Sequence, residues 1–84
     1  MNSRHRKTLQ AIFDLPTRAN LVWAAIEALF LALGGQVAEG RGSRIRVTLN
    51  NVSATFHRPH PAPDAKKGVV DAVREFLRNA GVKP

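Results

Sequence analysis

The chain has 84 residues, which suits one compact domain with a modest core and leaves no room for a second. It has no cysteine, which excludes a disulfide framework, a thiolate metal site and a thiol nucleophile, and fits a reducing compartment. Its net charge of +7, from 13 Lys and Arg against 6 Asp and Glu, favours a polyanionic partner through phosphate contacts, although an acidic protein would satisfy the same charge.

The opening MNSRHRK has the positive charge of a signal-peptide start. Asp14, Pro16 and Arg18 interrupt any apolar region after it, so no signal peptide is expected and a cytoplasmic location is the default. Ser3 is placed to cap a first helix running to about Phe13, with Leu9, Ile12 and Phe13 on one side. Arg4, Arg6 and Lys7 near its start oppose the helix dipole. They read as a solvated face, with a phosphate-seeking arm as the alternative; His5 beside them is incidental. Asp14-Leu15-Pro16-Thr17 breaks the helix, because proline disfavours helical geometry in the residue before it.

A second helix follows Asn20. Trp23, Ile26, Leu29, Phe30 and Leu33 recur at spacings of three and four and make one broad apolar stripe. Trp23 reads as core rather than as a base-stacking platform. Leu31 lies off the stripe and is expected to meet the first helix or a partner chain. The apolar run from Leu21 to Leu33 contains Glu27 and falls short of the roughly 20 residues of a membrane span, so no membrane association is expected. Gly34-Gly35 ends the helix, glycine supplying the left-handed conformation common at that position.

Gln36 to Glu39 is a short strand, followed by a turn through Gly40-Arg41-Gly42. From Ser43 the pattern alternates: Ile45, Val47 and Leu49 face one way, Arg44, Arg46 and Thr48 the other. Asn50-Asn51 is a two-residue turn of the kind that accepts positive φ at both positions. Counting back from it pairs Leu49 with Val52, Val47 with Ala54 and Ile45 with Phe56 in an apolar layer. The same register sets Arg46 opposite Thr55 and Arg44 opposite His57 on the other face, with Cβ atoms about 5 Å apart.

Arg58-Pro59-His60-Pro61-Ala62-Pro63 lacks three backbone donors and reads as a stiff exit loop. Asp64 is placed to cap a last helix with Lys66, Lys67 and Gly68 in its first turns. Val69, Val70, Val73, Phe76, Leu77 and Ala80 give its apolar face, and Gly81 stops it. Arg74 and Arg78 lie toward its C-terminal end, where they suit the dipole. The hairpin has one apolar face, so the helices must share that side of an antiparallel sheet. The face of Arg44, Arg46 and His57 is left open.

The ordered set of features resembles the HicA-type toxins of bacterial toxin–antitoxin pairs. It comprises the helix ending Leu33-Gly34-Gly35, the Gly42-Ser43 turn, the His60-Pro61 exit, and the helix carrying Gly68-Val69-Val70 and closing on Asn79-Ala80-Gly81-Val82. The likeness covers about Trp23 to Val82. It implies an α+β fold: a dsRBD-like, three-stranded antiparallel sheet with helices on one face in the order α-β-β-β-α, here with an extra N-terminal helix. Residues 1–84 then form a single domain, with 1–18 as the added helix and 19–84 as the HicA-like core. The resemblance also implies a metal-independent mRNA endonuclease neutralised by a HicB-like antitoxin. In one respect the chain departs from the family pattern. The histidine that usually follows the Gly-Ser turn is replaced by Arg44, with Ile45 after it, so that catalytic assignment carries over to neither.

Metal-free RNA cleavage needs a base for the 2′-hydroxyl proton, an acid for the leaving oxygen and cations for the crowded phosphate charge. Histidine, with an unperturbed pKa of about 6.5, suits the proton transfers, and arginine offers the phosphate a planar fork of donors. His57 and His60 are therefore the catalytic candidates, His57 replacing the missing residue across the strand pair. Arg41, Arg44, Arg46, Arg58, Lys66 and Lys67 are the RNA-binding candidates; between Gly40 and Lys67 only Asp64 opposes them. Single-stranded or locally opened RNA is the expected substrate, because A-form duplexes hide their base edges. The histidine spacing gives no zinc site, and Gly40-Arg41-Gly42-Ser43 lacks the long loop and lysine of a P-loop. No metal, cofactor or small-molecule partner is expected. The alternatives are a non-catalytic module of the same fold that binds RNA or an antitoxin, and, more weakly, a DNA-binding domain for which no helix-turn-helix spacing exists.

Overall fold

The computed structural model describes residues 1–84. Its elements are α1 (Ser3–Phe13), β1 (Leu21–Val22), α2 (Trp23–Ala32), β2 (Gln36–Glu39), β3 (Arg44–Leu49), β4 (Val52–His57), β5 (Asp64–Ala65) and α3 (Lys67–Asn79). Strands β2, β3 and β4 form an antiparallel sheet in that order, and β1 pairs with β5 in a separate two-residue ribbon. Helix α2 packs under β2, α3 under β4, and α1 against both helices on the side away from the sheet. This is the expected α-β-β-β-α order with a helix added in front.

The register inferred from the Asn50-Asn51 turn is the one observed, from Leu49 opposite Val52 to Arg44 opposite His57. Both turn residues have positive φ, 49° and 67°, which matches the turn to the strand twist. Asn50 also donates a side-chain hydrogen bond to the Ala80 carbonyl at 2.8 Å, so the hairpin tip satisfies the end of α3.

The core is one cluster of 16 residues joining Leu9 and Ile12 of α1, the apolar stripes of α2 and α3, and Ile45, Val47, Leu49 and Phe56 of the sheet. At its centre Phe30 stacks on Phe56 and meets Phe76 edge-on, with centroids 5.8 and 5.6 Å apart. Trp23 closes the group 5.8 Å from Phe56 and is buried, as its place on the stripe requires. Such aromatic pairs add about 0.5–1.5 kcal/mol each beyond their buried area.

The two glycines closing α2 serve different needs. Gly34 has φ +91°, the left-handed cap, and the Gly35 N–H bonds back to the Phe30 carbonyl at 2.9 Å. A Cβ on Gly35 would lie 2.8 Å from that carbonyl oxygen, so β2 can leave α2 this closely only without a side chain.

Three local expectations are corrected, and one, for Leu31, loses one of its two alternatives. The cap of α1 is Asn2, whose side chain accepts from the His5 N–H at 2.9 Å, and Ser3 is the first helical residue. Asp64 does not cap α3; it is paired with Val22 in the ribbon, and Lys66 takes the cap position without a side-chain bond. Leu31 is not covered by α1 and remains 59% exposed. Arg74 is buried rather than set against the helix dipole. Its guanidinium donates to the carbonyls of Ile12 (2.8 Å) and Asp14 (3.3 Å), to Thr17 Oγ1 (3.0 Å) and to Asp71 (3.0 Å), tying α1 and its exit to α3.

Candidate nucleic-acid interface

Alternation decides what the open face carries. Residues of β3 and β4 that do not enter the core are Arg44, Arg46, Thr48, Ser53, Thr55 and His57, and β2 adds Gln36 and Ala38 opposite Thr48 and Arg46. Arg44, Arg46, Thr55 and His57 are exposed, and Thr48 and Ser53 share a cross-strand hydroxyl bond of 2.9 Å. No carboxylate stands among these eight positions. Arg44 and Arg46 are two residues apart on one strand, which separates their Cα atoms by about 6.8 Å. The result is a shallow floor with two guanidiniums on its middle strand, one imidazole across from Arg44, and a row of hydroxyls. It can hold phosphate and sugar groups. It offers bases no aromatic to stack on, because Trp23, Phe30, Phe56 and Phe76 are spent in the core.

The other candidates lie around one end of this floor. Arg41 is exposed in the turn before β3, and its carbonyl accepts from the Arg44 N–H at 3.1 Å. His60 is exposed in the exit loop, three residues beyond His57, with a cis peptide to Pro61. The Trp23 N–H bonds to the Pro63 carbonyl at 3.0 Å and fastens this loop to the start of α2. Lys66 and Lys67 are exposed at the start of α3, in the helical layer rather than on the sheet's open face.

Arg58 is not on the open face. It follows His57, so its side chain emerges on the opposite face with Phe56, and there it bridges two carboxylates. Its Nε and Nη2 donate to Glu27 at 2.7 and 3.0 Å, and its Nη1 and Nη2 to Glu39, both at 2.7 Å. Trp23 Nε1 donates to Glu27 as well. The guanidinium is thereby committed to joining α2, β2 and the end of β4. The strand parity that put His57 on the open face was the signal for this, and Glu39 across from Ile45 obeys it too.

The Arg58 hydrogen bonds hold both carboxyls below the ordinary glutamate value of 4.5, against the opposing effect of desolvation. Asp71 is likewise held low, first by Thr17 and then by Arg74. A depressed folded-state pKa means that the unfolded chain takes up protons first as pH falls. The stabilisation is complete above the ordinary carboxyl values and is lost as pH drops through the lower folded ones. The thermal midpoint should therefore be flat from neutrality to about pH 5 and decline below it. Arg58→Met should flatten part of that decline, since half-buried Glu27 then loses its partner; superimposable profiles would show that this bridge does not couple to folding.

No three His, Cys, Asp or Glu side chains stand together as a metal-binding set. No helix is long and apolar enough to cross a membrane.

The family whose model matches residues 23–82 is described as the HicA toxin of bacterial toxin–antitoxin systems. The chain belongs to the HicA toxin family. The matched region runs from the first residue of α2 to the turn after α3, so it contains the whole sheet and its open face, and α1 lies outside it. No curated protein and no solved structure matches the chain.

Proposed function

We propose that this HicA-family protein is the toxin of a type II toxin–antitoxin pair, binding mRNA on the open face of its sheet and cutting it as a metal-independent endoribonuclease. One observation carries the proposal: Arg44 and His57 are opposite partners at the end of an open face with no carboxylate on it. In the proposed reaction His57 takes the proton from a ribose 2′-hydroxyl, and the 2′-oxygen attacks the adjacent phosphorus. The bond to the 5′-oxygen breaks, His60 gives that oxygen its proton, and the products are a 2′,3′-cyclic phosphate and a 5′-hydroxyl end. Arg44 and Arg46, with Arg41 at the adjoining turn, neutralise the phosphate as charge gathers on it. Lys66 and Lys67 hold the strand where it leaves the sheet. The partner that restrains this activity is a HicB-like antitoxin, whose acidic surface would cover the same cations, and the setting is the cytoplasm.

A second reading has its own observation. Arg44 occupies the position where the family's histidine usually stands, and arginine, always charged, cannot act as a base. That favours a chain that binds RNA or its antitoxin without cutting. Induction in a bacterial host separates the two. The first reading predicts growth arrest with loss of intact mRNA, relieved by co-expression of an adjacent antitoxin gene. Induction that leaves growth and mRNA untouched would sink it.

A further inference from the structure

Three of the thirteen Lys and Arg side chains, Arg18, Arg58 and Arg74, are in ion pairs, and ten are not. Not all of the ten lie near the sheet. Arg4, Arg6 and Lys7 are exposed in the first two turns of α1, a helix with no carboxylate in it. The polar contact of Arg6 is a bond to the Met1 carbonyl at 2.9 Å, and the side chains of Arg4 and Lys7 make no hydrogen bond. Three cations at the positive end of a helix dipole weaken the helix that carries them, so its own stability does not account for them.

Their surroundings point elsewhere. Lys7, Thr8 and Ala11 form one wall of a groove of about 300 Å³ whose other wall is Asn20, Leu21, Val22 and Ala25. Leu21 pairs with Ala65, and Lys66 and Lys67 follow directly. The narrow β1–β5 ribbon thus stands between Lys7 of α1 and the basic start of α3. The loop carrying His60 is fastened to the same end by the Trp23–Pro63 bond.

We infer that the first two turns of α1 are a second nucleic-acid contact, in which Arg4, Arg6 and Lys7 bind the ribose-phosphate backbone of RNA that has passed His60 and Lys66-Lys67. The inference rests on the RNA reading of the open face. It concerns a helix outside the family match, so it is a property of this chain rather than of the matched region.

The test is the salt dependence of binding to a labelled 30-nucleotide 2′-O-methyl oligouridine, which cannot be cleaved through its 2′-oxygen. Wild type is compared with Arg4→Ala/Arg6→Ala/Lys7→Ala and with Arg44→Ala/Arg46→Ala. Each single-strand phosphate contact contributes about 0.7 to the slope of log K against log salt, so losing three should reduce the slope by about 2. Affinity near 0.1 M salt should fall on the order of 100-fold. Alanine is the best helix former, and circular dichroism of the α1 variant should match wild type. An unchanged slope in that variant, with weaker binding in the Arg44/Arg46 variant, overturns the second contact alone. Absence of salt-dependent binding by wild type overturns the RNA reading and this inference together.

Discussion

Replacing Arg74 by methionine is expected to destabilise the fold by about 3 kcal/mol, the scale seen when a buried hydrogen-bonded charge is removed from its partners. The side chain is 8% exposed and donates to two backbone carbonyls, a hydroxyl and a carboxylate. Methionine fills similar volume, so the loss is chiefly of hydrogen bonds. The Ile12 and Asp14 carbonyls, at the end of α1 where no further helical N–H reaches them, would be left without this donor. Thr17, which donates to Asp71 and accepts from Arg74, would lose its fixed position. In a domain of this size the thermal midpoint should fall by roughly 10–20 °C. Urea unfolding gives the direct reading: a lower midpoint with an unchanged m-value, and faster amide exchange in α1 than in α3. A loss below about 1 kcal/mol would mean that α1 is held by the packing of Leu9, Ile12 and Phe13 alone.

The hairpin was legible in the sequence because two constraints agree there. A two-residue Asn-Asn turn fixes the register, and strict alternation then assigns every side chain to a face. Arg44 opposite His57 follows by counting. Burial of Trp23 was legible for a similar reason, since its position on a helical stripe is periodic information. The missed features are those that depend on contacts between distant parts of the chain. Arg74 sits on the helical face beside core positions Val70, Val73 and Leu77, and its place toward the C-terminal end suits the helix dipole; only the path of residues 12–17 over α3 explains its burial. Asp64 has the residue type of a cap, but pairing with Val22 claims its backbone first. A two-residue ribbon leaves no periodicity to detect. Arg58 is a different case, because the parity rule that placed His57 also removes Arg58 from the open face. Charge alone groups Arg58 with the RNA-binding candidates, whereas parity turns it toward Glu27 and Glu39.

The open face itself makes the largest functional prediction. Each proton-transfer role is worth about 10²–10⁴-fold in rate, so His57→Ala should lower RNA cleavage by that factor. His57 and Arg44 are backbone partners at the end of the sheet, on rigid strands, and His57 is exposed with no side-chain partner of its own. Substitution should therefore leave the fold intact. It should also leave RNA affinity nearly unchanged, because the proposal assigns the phosphate contacts to Arg44 and Arg46. Arg44→Ala should behave otherwise, weakening both binding and cleavage. His60→Ala should slow cleavage through the leaving group, most for substrates whose 5′-oxygen leaves poorly.

The most direct test is the single-turnover cleavage rate of a long RNA in excess chelator, measured for wild type and His57→Ala, with binding to the 2′-O-methyl strand measured in parallel. Wild type should leave cyclic-phosphate ends, His57→Ala should cleave at least about 100-fold more slowly, and the two proteins should bind with equal affinity. Intact RNA with wild type, or equal cleavage by the variant, would contradict cleavage through His57.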